Sequence, residues 1–278
     1  MFKILGLVFV SLFMLTNTQA SEVKDEMKWR VISWPPMYIV KGEFKGQGIY
    51  DNVIKKLSDN LPQYKHSTIK MNTARVLKDM KNGEKICHPS VLAQSGTSLM
   101  NSILIPHQII MHKDAFKRLG DVKEYSIKEL LNNKKFKGGI VPNRYSTTIN
   151  EIINNIEDKK HLNINANYES LINLLFKNRI DYIIEYAVVV NFKAKELNKK
   201  NLTISLNITD SGQDKFLPVY TKCPENEWGK LLISRINKIL IDESKEADFL
   251  DSRIKWYNEE DQKSLKSIYK EHYFKDKK

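Results

Sequence analysis

The chain has 278 residues, 41% of them hydrophobic and 28% charged, with 11 Gly, 8 Pro and 2 Cys. Those proportions are globular: they exclude collagen, a disulfide-dense miniprotein and wholesale disorder, and the length suffices for one large domain or two of ordinary size. The formal charge of +12 comes almost wholly from Lys, with only seven Arg; Lys spread along the whole chain reads as a solvated surface, not a nucleic-acid patch.

The first twenty residues set the address. Lys3 places one positive charge ahead of the apolar run Ile4 to Thr16, and Thr18-Gln19-Ala20 follows as a small-x-small site. This is the three-part pattern of a secretory signal peptide cleaved after Ala20, and it predicts a secreted protein. The alternative is a membrane anchor, but the run is about 13 residues where a spanning helix needs roughly 20. Cys87 and Cys223 both survive such processing. Two cysteines in one secreted domain usually pair, the alternative being two separate buried thiols.

After the leader the chain alternates strand-like and helical segments. Residues 28–34 read as a strand, 50–61 as an amphipathic helix with Val53, Ile54 and Leu57 on one side, 66–71 as a strand, 73–81 as a helix and 86–93 as a strand. Residues 104–111 are an apolar run broken by Pro106. This β-α-β-α-β order predicts a parallel sheet covered by helices. A second block opens with Ser126-x-x-Glu129, a capping box before Leu130 and Leu131. It continues with a strand at 138–142, a helix started by Thr148-x-x-Glu151, and a strand at 162–165. A helix capped by Asn167, a strand at 181–187 and a helix at 188–197 complete it. A third block reads as strands 202–208 and 216–221 around a turn at Gly212, then a helix from Glu227 to about Asp242. Its stripe is Trp228, Leu231, Leu232, Arg235, Ile236, Ile239 and Leu240. Helices over 247–257 and 262–273 and a frayed Lys-Asp-Lys-Lys end finish the chain. A Cys87–Cys223 bridge brings the first and third blocks together. The middle block is then an insertion, giving two α/β lobes joined by two crossings near 109–114 and 204–210, with a cleft between them.

Several marks, in this order, carry a resemblance. They are Trp34-Pro35-Pro36-Met37-Tyr38, Gly46-x-Gly48-x-x-Asp51, Ile103-Leu-Ile-Pro106, Asn178-Arg179-Ile180-Asp181-Tyr182 and Trp228-Gly229. Over nearly all of the chain after the leader, the sequence resembles the type 2 periplasmic solute-binding proteins of family 3, whose best-known members bind amino acids. With both cysteines and Arg144-Tyr145-Ser146 included, the marks resemble a mostly proteobacterial branch of that family. The resemblance implies a two-lobe periplasmic-binding-protein type 2 fold of class α/β, each lobe a mixed sheet flanked by helices, with a ligand cleft between lobes. The implied boundaries are 1–20 for the signal peptide, 21–110 and 206–278 for the first lobe, and 111–205 for the inserted second lobe. It implies a monomer that captures a small polar solute, amino-acid-like or related, and presents it to an ABC permease or a membrane sensor. No cofactor, metal or nucleic acid is implied.

The chain departs from the family at one telling place. Amino-acid-binding members carry an Arg nine residues before that Pro, forming a two-pronged salt bridge to the ligand carboxylate. Counting back from Pro106 reaches Thr97, in Gln94-Ser95-Gly96-Thr97. Thr97 and Ser95 offer hydrogen bonds but no charge, and Arg75 or Arg144 would have to compensate. The acidic marker four residues after the Asp of the Arg-x-Asp element is kept as Glu185, which the resemblance sets against a ligand ammonium; the plainer reading is a surface Glu on an edge strand. Asn143-Arg144-Tyr145-Ser146 follows a strand and opens a helix, an anion-binding corner or ordinary capping. Trp34, Tyr38 and Tyr186 are candidates for stacking on the solute, with core packing as the alternative. Catalysis has little support. The six His (66, 88, 107, 112, 161 and 272) show no metal spacing, and no nucleophile elbow or P-loop occurs. A few proteins of this fold are dehydratases using a cleft carboxylate, which leaves Glu185 as the one residue an enzyme reading would use.

Overall fold

The computed structural model describes residues 25–92, 95–199 and 201–274. The expected signal peptide and the frayed C-terminal lysines lie outside the described residues. In chain order the strands are β1 (Asp25–Val31), β2 (Tyr64–Lys70), β3 (Ile86–Val91), β4 (Thr97–Leu104), β5 (Gln108–His112) and β6 (Glu124–Tyr125). Then come β7 (Gly138–Ile140), β8 (Leu162–Ile164), β9 (Tyr182–Glu185), β10 (Thr203–Ile208) and β11 (Leu217–Lys222). The helices are α1 (Ile49–Asp59), α2 (Thr73–Lys81), α3 (Lys113–Leu119), α4 (Ile127–Asn132), α5 (Thr147–Asn154) and α6 (Tyr168–Phe176). They continue as α7 (Ala187–Glu196), α8 (Glu227–Glu243), α9 (Phe249–Ile254) and α10 (Glu259–Ile268), the last running into a π-helical turn at Tyr269–Tyr273.

Two mixed sheets result, ordered β2-β1-β3-β11-β4 and β6-β10-β5-β9-β7-β8. In the first, β1 pairs in parallel with β2 and β3, while β11 runs antiparallel between β3 and β4. In the second, β7, β8 and β9 are parallel, and β5 lies antiparallel between β9 and β10. The Cys87–Cys223 disulfide joins β3 to the residue just after β11, with both cysteines fully buried and a sequence separation of 136. It therefore staples the two segments of the first sheet across the inserted second one.

Local chemistry accounts for most of the elements. On β1, Met27, Trp29 and Val31 alternate into the core. Asn72, Ser126, Asn167, Asn226 and Asn258 each accept a backbone N–H at the start of a helix. At α1 the Asp51 carboxylate accepts the N–H groups of Gly48 and Ile39 at 2.9 and 2.8 Å. Gly48 is required there, because a Cβ would lie 2.6 Å from the Met37 carbonyl oxygen. Gly229 is tighter still, its Cβ position falling 1.8 Å from the Pro224 carbonyl oxygen. Two of the glycines that mark the sequence thus stand where backbone meets backbone.

The structure corrects several expectations. The run 104–111 is two strands of different sheets, because Pro106 has no N–H to continue a ladder. β4 and α3 were not expected. The segments flanking Gly212 are no hairpin: β10 belongs to the second sheet and β11 to the first. Boundaries at 110 and 205 fall inside β5 and β10, so the chain passes between sheets at 105–107 and at 209–216. Ser146, not Thr148, caps α5. Leu231, placed on the buried stripe of α8, is 52% exposed; Leu232, Ile236 and Leu240 make the buried face.

Candidate functional site between the two lobes

Three loops leave the carboxyl ends of parallel strands, where α/β sheets bind ligands. After β1, Trp34 and Tyr38 exchange backbone hydrogen bonds, Trp34 N–H to Tyr38 O at 3.3 Å and Tyr38 N–H to Trp34 O at 2.9 Å. After β7, Asn143 takes a φ of +56°, which Asn tolerates better than most residues, and delivers Arg144 and Tyr145 ahead of α5. β9 ends on Glu185, and Tyr186 follows at the N-cap of α7.

These loops meet the crossing segment Pro106-His107-Gln108. The Tyr186 ring lies 5.6 Å from Trp34 of the first lobe and 3.9 Å from His107, and Tyr145 packs edge-on to His107 at 5.3 Å. Behind this aromatic layer Arg144 Nε donates to Glu185 Oε2 and Arg144 Nη2 to Oε1, each at 2.9 Å. The Tyr186 N–H adds a third donor to Glu185 at 2.9 Å. The guanidinium also rests over Tyr168 at 4.5 Å. Glu185 is 1% exposed and the Arg144 side chain 21% exposed, so the carboxylate is the inner partner. Burial carries Glu185 above the usual carboxylate range, against the pull of Arg144 and the Tyr186 N–H. Burial, with Arg144 beside it, pushes His107 down to about 3.

The seam holds polar atoms with nothing to bond. Among the described residues the Trp34 indole N–H, both ring nitrogens of His107 and the Gln108 side-chain oxygen Oε1 are buried without a hydrogen-bond partner. Gln108 stands opposite Glu185 in the β5–β9 ladder, and its amide donates to Asn207 Oδ1 at 3.0 Å. Such groups carry a desolvation cost of about 1–3 kcal/mol each.

Of the expected site residues, Trp34, Arg144, Tyr145, Glu185 and Tyr186 come together here. Tyr145 faces His107 while its hydroxyl accepts the Val141 N–H at 2.8 Å. Ser146 adjoins them as the cap of α5 and donates to the Ser211 carbonyl at 3.4 Å. Tyr38 is instead a core residue of the first lobe, fully buried, with its hydroxyl 2.6 Å from Ser90 Oγ. Arg75 projects from α2 into solvent beside Asp79, at 3.6 Å. Ser95 is exposed and its carbonyl accepts from Lys222 Nζ at 2.8 Å. Thr97 opens β4 opposite Lys222, seven residues before Leu104 at the crossing end, or about 23 Å of extended strand. Of the two arginines considered in place of a cleft Arg, only Arg144 stands at the seam, and its guanidinium is engaged by Glu185. Glu185, expected to face a ligand ammonium, has its carboxylate occupied by Arg144.

Sequence reasoning missed His107 and Gln108, whose only signal is their place directly after Pro106. It also missed Arg30, 3% exposed in the first lobe, where it donates to the Met71 carbonyl and Thr73 Oγ1 at 3.0 and 3.2 Å. A second interlobe contact lies beyond the first: Phe44 of the β1–α1 loop and Trp256 after α9 enclose Phe192 of α7, with ring centroids 5.0–6.1 Å apart. Two surface hollows of about 410 and 340 Å³ lie elsewhere, at Pro224–Gly229 and at Arg118–Phe136. Among the described residues no His, Cys, Asp and Glu group is arranged to hold a metal ion, and no helix is long and apolar enough to cross a membrane.

No protein-family model and no curated protein matches the sequence. Solved structures do match. An ancestral cationic amino acid solute-binding protein superposes with a TM-score of 0.63 at 13% identity, covering 84% of this chain and 96% of that one. A Salmonella typhimurium periplasmic binding protein of high arginine specificity gives 0.57 at 13% identity, covering 84% and 100%. A histidine kinase sensor domain similar to periplasmic binding proteins gives 0.59 at 12% identity, covering 84% and 96%. At such identities the likeness is one of fold. The chain has the two-lobe α/β fold of the type 2 periplasmic binding proteins, as the resemblance implied.

Proposed function

We propose that this chain is an extracytoplasmic solute-binding protein, secreted to the periplasm by its first twenty residues, that captures a small polar solute between its lobes. The observation that carries the reading is the seam itself: Trp34, His107 and Gln108 bury unpartnered hydrogen-bonding groups where His107 packs on Tyr145 and Tyr186 and Tyr186 meets Trp34 of the first lobe, beside an Arg144–Glu185 pair. Trp34, His107, Gln108, Arg144, Tyr145 and Tyr186 contact the solute, with Ser146 at the rim and Glu185 holding the guanidinium in place. Binding free energy drives lobe closure and no bond need be made or broken. Delivery to an ABC permease is the first reading of the output. The likeness to a sensor domain favours a second, in which the closed form is read by a membrane partner.

The test is native mass spectrometry of protein purified gently from its own compartment. A bound small solute is expected in the wild type. Tyr186→Ala should weaken its binding about three- to tenfold, the scale of one lost aromatic contact. Protein that carries no solute, and whose melting temperature responds to no amino acid, amide or related small molecule, would sink the reading.

A further inference from the structure

The Arg144–Glu185 pair is closed on itself. Both carboxylate oxygens and two guanidinium nitrogens are engaged at 2.9 Å, the carboxylate takes a third N–H, and the cation lies on Tyr168. A zwitterion seeking these two residues would have to displace each from the other, inside a site where Glu185 is almost wholly buried. The first lobe offers no substitute cation at Thr97, which stands opposite Lys222, far along β4 from the crossing. What remains unsatisfied is neutral: one N–H donor on Trp34, one donor and one acceptor on the His107 ring, and one acceptor on Gln108. The His107 ring packs on Tyr145 and Tyr186, and Tyr186 on Trp34, so the donors and the ring acceptor stand among flat faces and edges.

We infer that the seam grips its solute through a planar, uncharged N–C=O group, a carboxamide or a ring lactam, and not through an α-ammonium and α-carboxylate. This rests on the solute-binding reading above and names the class of solute for that same site. Such a group carries both a donor and an acceptor, the two kinds of partner that His107 and Gln108 leave unmet, and it is flat like the rings of the seam, which part to admit it as the lobes open. Arg144 and Glu185 stay paired when it binds, as a neutral wall.

The experiment compares thermal shifts of the full chain with nicotinamide, uracil and N-acetylglycinamide against L-alanine, L-glutamate and L-arginine, each at 10 mM and pH 7.5. At least one of the first three should raise the melting temperature, and none of the amino acids should. His107→Phe keeps a flat ring but removes both nitrogens; it should weaken the neutral ligand at least tenfold. Trp34→Phe is the companion should His107→Phe fail to fold, and should weaken it severalfold. Stabilisation by an amino acid that Glu185→Gln abolishes overturns the inference while leaving the solute-binding reading intact, as does a co-purified solute bearing an α-ammonium and α-carboxylate. A neutral ligand bound equally well by both variants overturns the assignment of these groups. No shift with any probe, and no co-purified solute, overturns the inference and the solute-binding reading together.

Discussion

His88 and His107 are buried imidazoles, each beside an arginine. Burial, with Arg30 next to His88 and Arg144 next to His107, brings both down to about 3. In the unfolded chain each takes a proton below about 6.5. Between those values unfolding takes up protons, so the stability is fully present above about pH 6.5 and is lost as the pH falls. At pH 5, still above most carboxylates, the loss is about 2 kcal/mol per histidine at most. Melting temperatures at pH 7 and pH 5 measure it. His107→Phe should show a smaller drop than the wild type; an equal drop would mean that His107 is not the group responsible. At the same scale, asparagines do two jobs. They cap α2, α6, α8 and α10, and they occupy positive φ at 143, 178, 198 and 201. Asn at these positions is therefore in structural use.

Helices α8 and α9 are tied by a wholly buried ion pair. Arg253 Nη2 donates to Glu243 Oε1 at 2.8 Å, its Nη1 to Ser252 Oγ at 2.6 Å and its Nε to the Asn101 carbonyl at 3.3 Å, while the guanidinium covers Phe249 at 4.6 Å. The pair thereby fixes α9 against β4 as well as α8. Desolvating two charges offsets most of their attraction, but leaving one alone is expensive. Glu243→Ala should therefore cost about 3–5 kcal/mol in urea unfolding with an unchanged slope. The double change Glu243→Leu with Arg253→Met should return to within about 1 kcal/mol of the wild type or exceed it. A double variant as unstable as the single one would show that the charges, and not the filled volume, hold α8 to α9. Neither residue stands out in sequence: Arg253 lies in a stretch of mixed polar and apolar residues, and Glu243 ends an amphipathic helix where a charge normally meets solvent.

At the scale of the molecule, the two lobes touch through Trp34–Tyr186 and through the Phe44–Phe192–Trp256 cluster. Lys195 Nζ stands 5.0 Å from the Phe44 and Trp256 rings, and the Trp256 indole donates to the Gln47 carbonyl at 2.9 Å. The cluster holds α7 of the second lobe against the first, so removing its central ring weakens closure as well as packing. Phe192→Ala is expected to lower stability by about 3–5 kcal/mol, the usual cost of a buried Phe, and to raise the radius of gyration in small-angle scattering. Phe176→Ala is the control, since that ring is buried on α6 within the second lobe. It should destabilise without expanding the molecule. Equal radii for both variants would mean that the cluster does not control closure.

Much of this was legible in the residues alone. Alternation of strand and helix, the caps at Ser126 and Asn167, and the helix at 73–81 are encoded by neighbours a few positions apart, so period and capping chemistry reveal them. The order of marks from Trp34 to Gly229 pointed to the two-lobe fold because each mark stands at a close backbone approach or an element end. Tertiary structure decided which strands pair. β10 and β11 both read as short strands on either side of Gly212, yet they enter different sheets because the strands they pair with lie far earlier in the chain. It likewise decided that Arg144 meets Glu185 across 41 positions, closing a pair that sequence left as two separate ligand candidates. His107 is buried only because Arg144 and Tyr145 from one segment and Tyr186 from another close around it.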